Sequence, residues 1–206
     1  MAHIPDGVLS APVLVGGALG SGVLLVLALR RLDYEHLPQA AVLSAAFFVS
    51  SLISVPLGPS SVHLLLNGLL GLLLGWTAVP ALLVAIGLQL VFFGHGGLAA
   101  LGVNTLNMAL PALLCGLVLR PRLARAGPRA AFPIGAAAGA IGVLLTGLLV
   151  FLSLVLSDRA FLPAAQVLAL TYLPLALVEA LITGTVLSFL VRVDPDSVRW
   201  QGMDHA

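Results

Sequence analysis

The chain has 206 residues, 60% hydrophobic and only 8% charged, with mean hydropathy +1.15 and net charge +1. A soluble domain carries about a quarter charged residues, so the composition excludes a soluble fold and predicts an all-α integral membrane protein in the lipid bilayer. No basic stripe offers a nucleic-acid surface, a single cysteine (Cys115) excludes a disulfide framework, and the lack of any lysine excludes a P-loop, so no bound nucleotide is expected.

The chain opens Met1-Ala2-His3-Ile4-Pro5-Asp6-Gly7. A histidine this close to an α-amino group is a chelator. The amine, the amide nitrogens before the imidazole and the imidazole itself close five- and six-membered rings on one cation, a set that favours the tetragonal nitrogen geometry of Ni(II) or Cu(II). On these seven residues alone, the plainer reading is that His3 is an ordinary polar residue near a terminus; the rest of the sequence reverses it. No cleavable signal peptide is expected, because a charged leader is absent and Pro5, Asp6 and Gly7 interrupt any early helix.

Seven apolar spans follow, at roughly 11–30, 38–56, 62–77, 79–95, 98–119, 130–156 and 164–192. The third and fourth are short and meet at Thr77-Ala78-Val79-Pro80, which predicts a tight turn, with Trp76 at an interface; a re-entrant pair is the alternative. Residues 1–206 form a single transmembrane domain, with 1–10 as an N-terminal metal-binding segment and 193–206 as a cytoplasmic tail. Arg30 and Arg31 follow the first span, Arg120, Arg122, Arg125 and Arg129 the fifth, and Arg192 and Arg199 the seventh, leaving only Arg159 on the other side. The positive-inside rule then places the N-terminus outside and the C-terminus in the cytoplasm. Small-residue pairs mark close helix packing: Gly16 with Gly20, Ala41 with Ala45, and Gly135 with Gly139.

Polar residues are costly in a bilayer, so their level matters. In this topology His3, His63 and His95 all fall at the outer face. Asn104 and Asn107 lie just inside it, and Asn67 follows His63 by four residues, so both could share a helix face. His36 is on the cytoplasmic side and His205 in the tail. Each residue has a plainer reading: His63 bonding headgroups, His95 capping a helix within Gly94-His95-Gly96-Gly97, the asparagines bridging helices. Glu179, nearly mid-membrane with Thr183 one turn on, reads as an interhelical hydrogen-bonding group.

The opening His3-Ile4-Pro5-Asp6-Gly7, the segment Ser61-Val62-His63-Leu64 and the run from Phe93-Gly94-His95-Gly96-Gly97 to Asn104-Thr105-Leu106-Asn107-Met108 resemble the CbiM/NikM family. These are the metal-recognising S components of energy-coupling-factor (ECF) transporters. The resemblance covers the whole chain and implies the following. Seven transmembrane helices comprise the six-helix S-component fold plus an extra N-terminal helix. The N-terminal strand folds back, and the terminal amine, a backbone amide, the His3 imidazole and His63 bind Ni(II) or Co(II) as transported substrate. His95, Asn104 and Asn107 surround that site, with Asn67 alongside. The family generally has histidine at position two, and here Ala2 is inserted. Removal of Met1 makes Ala2 the amine donor and restores the usual set; retention makes Met1 the donor and leaves His63 displaced or axial.

The resemblance further implies an ATP-driven importer in a bacterial or archaeal cell membrane. Its partners are a transmembrane coupling (T) subunit, two ATP-binding subunits and, commonly, a small accessory membrane subunit. Ala41 and Ala45 then form the face that docks the T subunit. Two rival readings remain. A self-sufficient permease or channel would move metal without ATP. An intramembrane metal-dependent hydrolase would need an open metal position and a general base beside it; no His-Glu-x-x-His occurs, and Glu179 is at the wrong level.

Overall fold

The computed structural model describes residues 3–52, 54–57 and 60–198. The elements are α1 (Ala11–Leu29), α2 (Leu37–Ser50), β1 (Ser54–Leu57), β2 (Ser60–His63), α3 (Asn67–Leu74), α4 (Ala78–Phe93), α5 (Leu101–Leu123), α6 (Pro128–Ser157) and α7 (Leu162–Val193). Proline sits in the first turn of α1, α2, α6 and α7, where its missing N–H costs no helical bond and its fixed φ suits the helix start.

One hairpin departs from an all-α fold. β1 and β2 pair antiparallel, with Ser54 opposite His63 and Leu57 opposite Ser60. Pro56 would remove an intrahelical donor, so the second expected span stops at Ser50 rather than continuing to 56. The third expected span likewise begins as strand and becomes helical only at Asn67.

Among the described residues, five stretches are long and apolar enough to cross a membrane: Ala11–Leu29, Asn67–Phe93, Leu101–Leu123, Pro128–Ser157 and Arg159–Val193. The second is not one rod. His63 before it and His95 after it both lie beside His3, with ring centroids 5.5 and 6.0 Å away. A straight 27-residue helix would separate its ends by about 40 Å. The chain instead reverses at Gly75, whose φ of +54° is a conformation glycine adopts without strain. Among the described residues the helical legs α1 to α7 thus alternate in direction. α2 and α3, with 14 and 8 residues, are about 21 and 12 Å long, short of a hydrocarbon core of about 30 Å.

The legs give the bundle two unlike ends. At one end lie His3, His63 and His95. At the other, the Arg31 guanidinium stacks 4.5 Å from the centroid of the Trp76 ring, beside the α3–α4 turn. α5 and α7 also finish at that end, with Arg120, Arg122 and Arg192 in their last turns.

Phe47, Leu70, Leu74, Leu82 and Met108 are fully buried between α2, α3, α4 and α5. α6 and α7 form the most extensive helix pair. A Cβ at Gly135 would lie 2.8 Å from the Thr183 carbonyl oxygen, and one at Gly139 2.5 Å from that of Glu179. This small-residue pair is thus used for packing inside the chain. In α1 the expected pair is displaced by one residue: Gly17 and Gly20 meet Val103 and Leu106 of α5, while Gly16 faces open space.

Candidate metal centre

The N-terminal segment is held in the protein by three separate means. Ile4 and Leu9 are buried against Val103, Val150, Leu154 and Ala165 of α5, α6 and α7. Burying one such side chain from water contributes about 1.5–3 kcal/mol. Asn104 pairs with Ile4 as a neighbouring strand would: the Ile4 N–H donates to Asn104 Oδ1 at 2.9 Å, and Asn104 Nδ2 donates to the Ile4 carbonyl at 3.0 Å. Asp6 accepts from the backbone N–H groups of Ala99 at 3.3 Å and Ala100 at 2.9 Å, just before α5. A carboxylate there meets the positive end of the helix dipole.

The Gly94-His95-Gly96-Gly97 run is shaped to receive that segment. Gly94 ends α4 in the left-handed conformation, and the N–H groups of Gly94 and His95 donate to the Leu90 and Gln89 carbonyls. Gly96 also has positive φ (+82°), and a Cβ there would lie 2.9 Å from Asn104 Nδ2. A Cβ at Gly97 would overlap the Asp6 carboxylate. The same short loop presents His95 and clears room for the segment carrying His3.

His63 closes β2. Its Nδ1 lies 3.0 Å from the Leu64 carbonyl oxygen, which can only accept. Nδ1 therefore carries the proton, and Nε2 keeps its lone pair. His3 and His63 are both 5% exposed. Both ring nitrogens of His3, Nε2 of His63 and Nδ1 of His95 are buried without a hydrogen-bond partner among the described residues. The Gln89 amide approaches the His3 ring without completing a hydrogen bond. Burial first, then His63 and His95, push the His3 imidazole down to about 3, and burial lowers His63 as well. Both rings are thus neutral, the form that coordinates a metal.

Among the described residues, no three His, Cys, Asp or Glu side chains are placed to hold one ion. With metal–nitrogen bonds of about 2 Å, two imidazoles on one ion have centroids roughly 4.5–6 Å apart, a range that includes the His3–His63 separation of 5.5 Å. Met1 and Ala2, whose nitrogens complete the expected ligand set, lie outside the described residues, as does His205.

Of the residues expected around the site, Asn104 reaches the segment and His95 stacks on His3. Asn67 and Asn107 bond to α6 instead. Asn67 Nδ2 donates to Thr146 Oγ1 at 2.8 Å, and Asn107 Nδ2 to Ser153 Oγ at 3.3 Å. The four-residue spacing of His63 and Asn67 does not put them on one face because residues 63–66 are not helical and Leu66 is left-handed. Glu179 bonds to backbone rather than to a helix side chain: its Oε1 accepts from Leu65 and Leu66. His36 pairs with Asp33 at 3.0 Å, at the arginine end. Ala41 and Ala45 are exposed on α2. Gln89 was not singled out by the sequence; the available signal was a glutamine inside an apolar helix, six residues before His95.

A family model describing a cobalt uptake substrate-specific transmembrane region, CbiM, matches residues 3–197. A Haemophilus influenzae protein assigned to metal transport is 39% identical over 199 residues, covering 94% of this chain and 95% of its own length. A fused nickel transport protein, NikMN, of Rhodobacter capsulatus is 33% identical over 94% of this chain, and the chain spans 63% of that protein's length. A crystal structure of a transition metal transporter superposes with a TM-score of 0.81 at 28% identity, covering 94% of each chain.

Proposed function

This chain belongs to the CbiM family, a cobalt and nickel transport family, and we propose that it captures Ni(II) or Co(II) at the outer membrane face as the S component of an ECF importer. The observation that carries the reading is the convergence of buried, neutral His3 and His63 rings, with unpartnered nitrogens, beside a docked N-terminal segment.

The seven alternating legs act as seven crossings. The arginine end faces the cytoplasm by the positive-inside rule, which puts the histidine end outside. The ligands are the terminal amine, a deprotonated backbone amide, the His3 imidazole and His63 Nε2. The His3 and His63 ring centroids are 5.5 Å apart, a separation compatible with both imidazoles binding one ion. Binding releases the amide proton, and any proton on the amine, to solvent. Four nitrogens in a plane suit Ni(II). Lacking a P-loop lysine, the chain draws its energy from partners: a T subunit docked at Ala41 and Ala45, two ATP-binding subunits and a small accessory membrane subunit.

The test is direct. The purified chain should bind Ni(II) or Co(II) with the absorption spectrum of nitrogen ligation. Cells should accumulate metal only when the partner subunits are present and ATP is not depleted. Uptake by this chain alone in ATP-depleted cells would instead establish a permease.

A further inference from the structure

Glu179 is fully buried on α7, and among the described residues no hydrogen bond joins it to the three histidines. Its Oε1 accepts from two successive backbone N–H groups, those of Leu65 and of Leu66, the latter at 2.9 Å. These residues belong to the short link between β2 and α3, two and three residues after His63. We propose that Glu179 is a positioning residue for the metal site: from α7 it anchors the Leu65–Leu66 backbone and so fixes the His63 imidazole. The proposal rests on the metal-capture reading above.

Several observations support it. The hydrogen bond of His63 to Leu64 is local and moves with the link, so it orients the ring without tying it to the bundle. Leu66 has φ +46°, the only positive φ at a non-glycine among the described residues. A left-handed residue turns successive N–H groups toward one acceptor, and an external hold must keep the chain in that conformation. Leu66 is also the N-cap residue of α3 and supplies no side-chain cap. At this helix start Asn67 Oδ1 accepts from the Gly68 N–H, whereas the Leu66 N–H takes its acceptor from Glu179. The other tie, Ser50 Oγ donating to the Leu64 carbonyl, is long at 3.4 Å. Glu179 itself sits on a firm base, because its backbone packs on Gly139 of α6.

The experiment compares metal affinity in purified Glu179→Gln, Glu179→Ala and Glu179→Met chains. Thr146→Val, which removes the Asn67–Thr146 bond at the same helix start, is the stability control. Glutamine keeps an oxygen acceptor, so Glu179→Gln should bind Ni(II) or Co(II) within about threefold of wild type. Alanine and methionine remove the acceptor and should weaken binding about 10–100-fold, the range typical of groups that orient a ligand. Their metal spectra should show loss of one imidazole, while Thr146→Val keeps both affinity and spectrum. Wild-type affinity in a folded Ala or Met chain overturns the proposal, as does a Gln chain as weak as either. Should neither fold, amide exchange in the wild-type protein decides. Slow exchange at Leu65 and Leu66, with and without metal, supports the anchor; fast exchange overturns it. A wild-type chain that binds neither metal would overturn the function itself, whereas wild-type binding with an unaffected Glu179→Ala chain overturns only this assignment.

Discussion

Histidines stand at both ends of this bundle in opposite conditions. At the arginine end, His36 finds Asp33 three residues away in sequence and pairs with it at 3.0 Å. At the other end, His3, His63 and His95 come together from three distant parts of the chain, and four of their ring nitrogens have no partner among the described residues. An unsatisfied buried polar group costs about 1–3 kcal/mol. Carrying several at one point is unfavourable unless a ligand completes them. The difference teaches that residue type says little here. What matters is whether a histidine is satisfied by its sequence neighbours or left open by tertiary structure.

The strongest way to break this comparison is to remove an open imidazole. His3→Ala and His63→Ala should each lower metal affinity by more than about 100-fold, beyond the range typical of outer-layer groups, as measured by equilibrium titration of the purified chain. Near-normal binding in either variant would mean that the open nitrogens are not donors. The next largest effect should come from the docking of the segment rather than its chemistry. Asn104→Ala removes both bonds to Ile4, and Gly97→Ala drives Asp6 off the start of α5. Each should weaken binding about 10–100-fold and speed proteolysis of the N-terminal segment in the metal-free chain. Weakened binding with unchanged proteolysis would assign these residues to the metal instead.

The sequence made the two ends legible to different degrees. The membrane class and the gathering of His3, His63 and His95 follow from hydropathy and span counting; the expected reversal at Thr77–Pro80 falls instead at Gly75–Thr77, because Ala78 to Pro80 already form the first turn of α4. The hairpin at 54–63 lies between apolar runs whose hydropathy overrides its own turn signals, Pro56, Gly58 and Pro59. Asn67 was misplaced by an assumed helical spacing that a left-handed Leu66 interrupts. Gly96 and Gly97 read only as a turn signal. Their fit to His3, Ile4 and Asp6 depends on contacts about ninety residues apart, which no local pattern encodes. Gln89 and the backbone role of Glu179 were obscured for the same reason.

Acid sharpens the comparison without any mutation. The His3 imidazole moves from its ordinary 6.5 to about 3 when buried in the docked segment. Between those values the released segment takes up a proton that the docked one does not. Docking is therefore fully stable above pH 6.5 and weakens as pH falls, by up to about tenfold per pH unit. His63 is shifted in the same direction and adds the same sign. Limited proteolysis or amide exchange of the metal-free chain from pH 7.5 to pH 5 measures this. Docking unchanged over that range would show that the segment is held independently of its histidine. His95 should matter less, since its ring stacks on His3 and against Phe93, 5.7 Å away. His95→Ala should cost about tenfold in metal affinity, the low end for a residue that supports a ligand ring.

The smallest effect belongs to His36, and it is the control on which the comparison depends. Its Nδ1 faces Asp33 across one turn, and the Asp33 carboxylate also accepts from the Glu35 N–H at 3.0 Å, capping the turn that leads into α2. His36→Ala leaves that cap intact and removes a partly exposed pair, whose contribution to stability is about 0–1 kcal/mol. Metal affinity should stay within about twofold of wild type, because no ring nitrogen at that end reaches the segment carrying His3. If His36→Ala weakened binding as much as His95→Ala, the two ends would be coupled through α2, which connects His36 to Ser50 and its bond to Leu64. The distinction between satisfied and open histidines would then fail as a guide to the site.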